Sequence, residues 1–323
     1  MNSRRASVLA RCGVGALWLA AVAMAGCALA VPGDDVTFAR LPDGRRLAFR
    51  CSGRGAPTVL LEGGWAASSL AWSRVQPLVA ATARVCSYDR AGMGLSDPGP
   101  APRDGAAIAR DLDDGLRAAN IVGSFVVVGH SAGGLYVRLF ADRRPADVVG
   151  MVLVDPSVEF QDQRLSAMYG PGAGSIAGLR DRSARCLAAA TAHRLPSPDP
   201  ALAKCDAATP VATWATEVSE LDTLWGATSD AVAAGRSTFG ALPLIVLTAG
   251  DTNAALPEGP RRFADRVWAG LHQELADRST VGVRRTVTGT GHLIPHDRPD
   301  AIVAAITEVR TGRPPLGTSP PIG

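Results

Sequence analysis

A serine stands at the centre of the motif Gly129-His130-Ser131-Ala132-Gly133, with a glycine two residues before it and another two residues after it. This Gly-x-Ser-x-Gly pattern is typical of a nucleophile elbow, in which a strand turns sharply into a helix and exposes one hydroxyl. The flanking residues must be small because larger side chains would collide with the neighbouring strand and helix. A serine presented in this way can attack a carbonyl carbon if a base removes its proton.

His292 is the predicted base. It follows the loop Thr288-Gly289-Thr290-Gly291 and precedes a predicted C-terminal helix, so that its imidazole can reach over the edge of a sheet to the serine. The only rival is His296, which we expect to help position the loop. His130 adjoins the serine, and we interpret it as a structural residue that faces away from the site.

The base needs an acid that orients the imidazole and stabilises its charged form. Asp251 is favoured because it follows Gly250 directly after a predicted strand, next to the histidine loop. The alternative acid is Asp155, at the end of the preceding predicted strand.

The tetrahedral intermediate of acyl transfer carries an oxyanion, which backbone N–H groups can stabilise. One donor is expected to be the amide of Ala132, directly after the nucleophile. The other is expected in the loop Leu61-Glu62-Gly63-Gly64-Trp65, from the amide of Gly64 or Trp65, since glycines let the backbone approach the substrate closely.

Eight apolar segments have the character of strands, and most of them alternate with helical segments, which predicts a mostly parallel sheet covered by helices on both faces. Val126 to Val128 lead to the elbow, and the predicted helix after it has Leu135, Leu139 and Phe140 on one face. We assign residues 31–156 and 242–312 to this core. Residues 157–241 lack an obvious buried strand and are predicted to form an inserted helical cap, and residues 313–323 a flexible tail.

Residues 1–30 have the pattern of a signal peptide, with Arg4, Arg5 and Arg11 before an apolar stretch that contains no acidic residue. Cleavage could follow Ala30, or it could precede Cys27, which would then be lipidated; an uncleaved membrane anchor is a further alternative. In each case the protein is predicted to be exported, and to be periplasmic, anchored to the cell envelope, or secreted. Without the leader, 30 basic residues balance 30 acidic ones, and no nucleic-acid partner is expected.

Four cysteines remain outside the leader, an even number that suits an oxidising compartment. Their positions along the chain favour the pairs Cys51–Cys86 and Cys186–Cys205, although three pairings are possible and the thiols could also be free. No CxxC or HExxH spacing is present, so neither a metal nor a cofactor is predicted.

Several motifs together resemble the cap-bearing branch of the α/β-hydrolase fold family, which includes esterases, proline iminopeptidases and cofactor-free haloperoxidases. The motifs are the elbow, Leu153-Val154-Asp155-Pro156, Gly291-His292 with Arg298-Pro299, and Tyr88-Asp89-Arg90-Ala91-Gly92-Met93-Gly94-Leu95-Ser96-Asp97. The resemblance covers roughly residues 36–312 and implies an eight-stranded sheet, in which strands two and four are neighbours. That neighbourhood supports the Cys51–Cys86 pair. The order Ser131, Asp251, His292 is the order that the family implies.

One departure from the family concerns Glu62-Gly63, which stands where this branch often has His-Gly. The carboxylate of Glu62 could bind a cationic group of a substrate, or it could be neutralised by Arg90.

The sequence therefore predicts an exported serine hydrolase that cleaves a carboxylic ester of a small molecule, with no cofactor and with membrane contact only through a possible lipid anchor. One alternative is an aminopeptidase acting on small peptides, in which Glu62 holds the substrate amine and Glu217 or Glu220 assists. Another is a ligand-binding or interaction module that does not catalyse.

Overall fold

The structure is a computed structural model that describes residues 36–170, 176–254 and 256–312. The predicted signal peptide with Cys27 and the predicted tail, residues 313–323, lie outside the described residues. None of the described helices is both long enough and apolar enough to cross a membrane.

Eight strands form one sheet, as the sequence predicts: β1 Val36–Arg40, β2 Arg46–Ser52, β3 Thr58–Glu62, β4 Val85–Tyr88, β5 Phe125–His130, β6 Val148–Val154, β7 Leu244–Ala249 and β8 Val283–Val287. Their order across the sheet is β1-β2-β4-β3-β5-β6-β7-β8. In this order, the strands from β4 to β8 run parallel to one another, whereas β2 is antiparallel to both β1 and β4. The carboxyl ends of β3, β5, β6 and β7 therefore meet at one edge.

The described α-helices are α1 Gln76–Ala80, α2 Gly105–Ala118, α3 Gly133–Arg143, α4 Gln161–Tyr169, α5 Ala177–Thr191, α6 Val211–Thr223, α7 Ser229–Ala234, α8 Glu258–Ala276, α9 Ile294–Asp297 and α10 Pro299–Thr311. Short 3₁₀ turns lie at Ser69–Trp72 and Pro200–Leu202, and a π-helical turn at Leu224–Thr228 continues α6. Helices α4 to α7 all lie between β6 and β7, in the segment that the sequence assigns to an inserted cap.

Both faces of the central strands are buried because these strands carry apolar side chains on each side. Along β5, Phe125 and Val127 belong to the apolar cluster under α2, α3 and α8, whereas Val126 and Val128 belong to the cluster under α1 and α10. This alternation is what a central parallel strand requires. The predicted fold class, a mostly parallel sheet with helices on both faces, is confirmed.

Both predicted disulfides are formed. Cys51 and Cys86 face each other across β2 and β4, which are neighbours in the sheet. Cys186 of α5 is bonded to Cys205, and this pair is buried in a small apolar cluster with Leu202 and Trp214.

Candidate active site

Ser131 lies between the end of β5 and the first turn of α3, with a backbone φ of 54° in the left-handed region. The two glycines of the motif are required by close contacts. A Cβ on Gly129 would lie 2.5 Å from the carbonyl oxygen of Gly133, and a Cβ on Gly133 would lie 2.6 Å from that of Gly63. The turn is held because Ser131 donates its backbone N–H to Val154 of β6 at 3.1 Å. The serine side chain faces a cavity at the carboxyl edge of the sheet.

His292 lines the same cavity and lies in the loop between β8 and α9. Its Nδ1 is 2.7 Å from Oδ2 of Asp155. Burial alone would raise the pKa of the Asp155 carboxyl, but the hydrogen bond and the charge of His292 lower it below its usual value. An ionised carboxylate only accepts hydrogen bonds, so Nδ1 of His292 donates to Asp155, and Nε2 is the ring nitrogen that remains for use as a base.

The prediction that Asp251 holds the imidazole disagrees with this geometry. Asp155, the alternative acid, follows β6 directly, is fully buried, and is the carboxylate in contact with His292. Asp251 is exposed, and its backbone N–H is bonded to the carbonyl of Thr290, while the preceding Gly250 is bonded to Val287. These two bonds continue the pairing of β7 with β8 and leave the Asp251 side chain in solvent.

Two side chains of α8 that the sequence analysis did not connect with the site support Asp155. Oδ1 of Asp155 accepts hydrogen bonds from the indole N–H of Trp268 at 2.8 Å and from the backbone N–H of Ala249 at 3.0 Å. The ring of His272 packs against Trp268 and bridges the hydroxyl of Thr248 and the carbonyl of Pro156. Burial lowers the pKa of His272 to about 4. The i, i+4 spacing of Trp268 and His272 is the only sequence signal for this support.

His130 does not face away from the site, contrary to the sequence interpretation. It is buried, its Nε2 lies 2.8 Å from the backbone carbonyl of His292, and the two rings are 4.7 Å apart. Burial lowers the pKa of His130 to about 4. Its neutral ring therefore donates Nε2–H to that carbonyl and holds the loop of the predicted base. His296 is exposed and bonded to Asp297, and its backbone carbonyl accepts from Arg74.

The loop after β3 lies against the elbow, as the oxyanion prediction requires. A Cβ on Gly64 would be 3.0 Å from Cβ of Ser131, so only glycine fits there without displacing its neighbours. Gly64, Trp65 and Ala132 all line the cavity. Within the described ranges, no group accepts a hydrogen bond from the amides of these three residues. Their N–H groups are therefore available to a ligand.

Glu62 is neutralised within the protein. Its side chain is 2% exposed, one oxygen is 2.8 Å from the guanidinium of Arg90, and the other accepts the hydroxyl of Tyr88. Burial raises the pKa of Glu62, and Arg90 opposes that rise. Of the two roles that the sequence allowed for Glu62, the structure shows the pairing with Arg90.

The cavity has a volume of about 740 Å³, and its wall is mostly apolar. Leu165, Leu221, Trp225 and Trp268 contribute to it, together with Trp65. Among the described residues that line it there is no Asp, Glu, Lys or Arg. Nor does the described part of the chain contain a group of three or more His, Cys, Asp or Glu side chains placed to hold a metal ion.

Comparisons with known proteins agree with this architecture. The family model described as "Alpha/beta hydrolase family" matches residues 58–305. An esterase from Thermogutta terrifontis superposes with a TM-score of 0.58 at 20% identity, covering 86% of this chain and all of that one. An alpha/beta hydrolase fold protein from Burkholderia ambifaria gives a TM-score of 0.59 at 22% identity, covering 84% of this chain and 97% of that one. At such identities the likeness shows the fold alone.

Curated relatives match over shorter segments. The protein YqjL of Bacillus subtilis is 31% identical over 106 residues, which are 33% of this chain and 42% of that protein. The chain spans less than half of the length of the first curated relatives that it matches, with shares of 18%, 42% and 15%.

Proposed function

The chain belongs to the alpha/beta hydrolase family, and we propose that it is a serine hydrolase that cleaves carboxylic esters. The observation that carries the proposal is the geometry around one cavity. A serine on a left-handed turn faces the cavity together with a histidine whose Nδ1 is held at 2.7 Å by a buried carboxylate. This is the arrangement that nucleophilic acyl transfer needs.

In the proposed reaction, Oγ of Ser131 attacks the ester carbonyl while Nε2 of His292 takes the hydroxyl proton. Asp155 holds the ring through Nδ1 and stabilises the imidazolium that forms. The amide of Ala132 and that of Gly64 or Trp65 bind the oxyanion. Collapse of the intermediate breaks the bond to the alcohol, which leaves with the proton from His292. Water, activated by the same histidine, then releases the acid and restores the serine.

The lining of the cavity favours an uncharged ester over a peptide with a free amino terminus. An aminopeptidase needs a carboxylate that can receive the substrate ammonium, and the candidates were Glu62, Glu217 and Glu220. None of the three lines the cavity. Arg90 binds Glu62 and Glu220, and the hydroxyl of Ser183 donates to Glu217. A cationic group would therefore lose its hydration in this cavity without gaining a carboxylate partner.

We also propose that the protein works outside the cytoplasm. Two disulfides in the described part of the chain suit an oxidising compartment. The predicted signal peptide or lipoprotein signal would deliver the protein there.

The test uses a fluorophosphonate probe and p-nitrophenyl butyrate with the wild-type protein and the variants Ser131→Ala and His292→Ala. We expect a label on Ser131, and a fall in turnover of roughly 10⁴- to 10⁶-fold in each variant. A folded wild-type protein that is neither labelled nor active would contradict the proposal and favour the non-catalytic ligand-binding module. Faster cleavage of alanine p-nitroanilide than of the neutral ester would favour the aminopeptidase instead.

A further inference from the structure

Arg90 is a buried arginine that the proposed reaction does not use. It follows β4, its side chain is 2% exposed, and it does not line the cavity. Its guanidinium binds two carboxylates, Glu62 at 2.8 Å and Glu220 of α6 at 2.9 and 3.1 Å. It also donates to two backbone carbonyls of the loop after β3, those of Gly63 at 3.0 Å and Gly64 at 2.8 Å.

These contacts use the full hydrogen-bonding capacity of the side chain. A guanidinium has five N–H donors in one plane, and Arg90 makes five hydrogen bonds, one from Nε and two from each terminal nitrogen. A lysine has three donors on a single nitrogen and cannot reproduce these five coplanar hydrogen bonds. Burial lowers the pKa of Arg90, but Glu220 and Glu62 raise it well above its usual value, so that the group stays charged.

The two carbonyl contacts of Arg90, together with a backbone hydrogen bond from Ala67 to the Gly64 carbonyl at 3.2 Å, hold two peptide planes. In a planar trans peptide, the C=O of one residue and the N–H of the next point in opposite directions. The carbonyls of Gly63 and Gly64 point towards Arg90, in the interior. The N–H groups of Gly64 and Trp65 must therefore point away from Arg90, and these are the two candidate donors of the oxyanion hole.

We propose that Arg90 is a positioning residue that fixes the two peptide planes of the oxyanion loop, which is the loop after β3 that contains Gly63, Gly64 and Trp65. Helix α6 supports Arg90 from the other side. Glu62 and Glu220 hold the guanidinium from two sides, and the guanidinium holds the loop. Helix α6 also contacts the loop directly, because the indole N–H of Trp65 donates to the backbone carbonyl of Glu217 at 3.0 Å. Since hydrogen bonds in a chain polarise one another, a cation on the carbonyl oxygens also makes the opposite N–H groups better donors.

The inference rests on the proposed function, and its test compares an ester with the matching thionoester. Sulfur accepts hydrogen bonds weakly, so damage to the oxyanion hole lowers kcat/KM for the ester more than for the thionoester, whereas partial unfolding lowers both equally. The test variant is Arg90→Lys. The matched control is Arg138→Lys, because Arg138 is equally buried, pairs with Glu159 at 2.7 Å and does not line the cavity.

For Arg90→Lys we expect kcat for the ester to fall about 10²-fold with a small change in KM, by analogy with the loss of one oxyanion donor. The ratio of kcat/KM between ester and thionoester should fall with it, and it should keep the wild-type value in Arg138→Lys. If Arg90→Lys does not fold, Glu220→Gln provides the second test. It keeps the shape of the side chain but removes its charge, and it should lower kcat and the ratio about tenfold, the loss of one charge-assisted bond.

An unchanged ratio in a folded Arg90→Lys or Glu220→Gln protein would overturn the positioning role. A crystal structure of Arg90→Lys gives an answer that does not depend on turnover. Peptide planes at Gly63–Gly64 and Gly64–Trp65 that keep their orientation would equally overturn the inference, and reoriented planes would support it. Ester turnover by the wild type that is lost in Ser131→Ala supports the proposed function whatever Arg90 does, so the two failures are distinguishable.

Discussion

Replacing Asp155 by asparagine should move the proton of His292, the proposed base, from Nδ1 to Nε2. One oxygen of Asp155 accepts two N–H groups, from Ala249 and Trp268, and the other accepts Nδ1–H of His292. The NH₂ of an asparagine cannot take the first position, where it would face two other donors. It must therefore face His292 and donate to Nδ1.

An imidazole that accepts at Nδ1 carries its proton on Nε2, the nitrogen that should take the proton of Ser131. The variant thus keeps the shape of the site but holds the histidine in the wrong tautomer. An equivalent change in a serine protease lowers kcat about 10⁴-fold, which corresponds to about 5.4 kcal/mol of transition-state stabilisation. We expect a loss of this size in Asp155→Asn.

The assay is kcat/KM for p-nitrophenyl butyrate, together with the rate of fluorophosphonate labelling and a thermal melt that confirms folding. Asp251→Asn is the matched control, because Asp251 also follows a strand at this edge of the sheet but is exposed. As a surface substitution, it should change the rate by no more than about twofold. A folded Asp155→Asn protein with more than a tenth of the activity, beside an inactive Asp251→Asn protein, would refute the assignment.

Two further predictions concern stability. Burial lowers the pKa of His130 and that of His272 to about 4, against an ordinary value of 6.5. Between these pH values the unfolded chain therefore binds more protons than the folded chain. Each histidine should lower the free energy of unfolding by up to about 3 kcal/mol as the pH falls from 6.5 to 4. Urea unfolding at several pH values should show this loss, and a His272→Gln protein with the same pH dependence as the wild type would contradict it. Cys186 and Cys205 are 19 residues apart, so the double alanine variant should lose about 3 kcal/mol of unfolding free energy; an unchanged urea midpoint would show that the bond contributes nothing.

The sheet could be predicted from the sequence because its central strands β3, β5, β6 and β7 are short apolar runs, with glycine or proline close to their ends. The turn at Ser131 could be predicted partly for a local reason, since the contact that excludes a side chain at Gly129 comes from Gly133 of the same motif, whereas the contact at Gly133 comes from Gly63, far away in the chain. The His292 loop carries a similar local signal in its flanking glycines. Such features are encoded within a few residues.

The choice between the two candidate acids depends on tertiary contacts, and there the sequence reasoning favoured Asp251 over its alternative Asp155, the carboxylate that contacts His292. Asp155 and Asp251 both follow a strand at the same edge of the sheet, and nothing local shows which carboxylate turns inward. The difference lies in partners that are distant along the chain, the indole of Trp268 and the amide of Ala249, which satisfy the buried oxygen of Asp155. The sequence analysis anticipated Arg90 as a partner of Glu62. The second carboxylate on Arg90 comes from the segment between β6 and β7, and amino-acid composition does not determine how that segment packs.

The position of Asp155 at the end of β6 also connects that segment to the proposed site. The chain leaves the sheet directly after Asp155, and the amide of Ser157, two residues later, donates to the backbone carbonyl of Ser131 at 2.9 Å. The same segment returns to the oxyanion loop through α6, where Glu220 binds Arg90 and the carbonyl of Glu217 accepts from Trp65. The segment between β6 and β7, whose helices contribute to the cavity, is therefore hydrogen-bonded both to Ser131 and to the loop after β3. A substitution that shifts α6 should change kcat as well as substrate preference, because the two properties share these contacts.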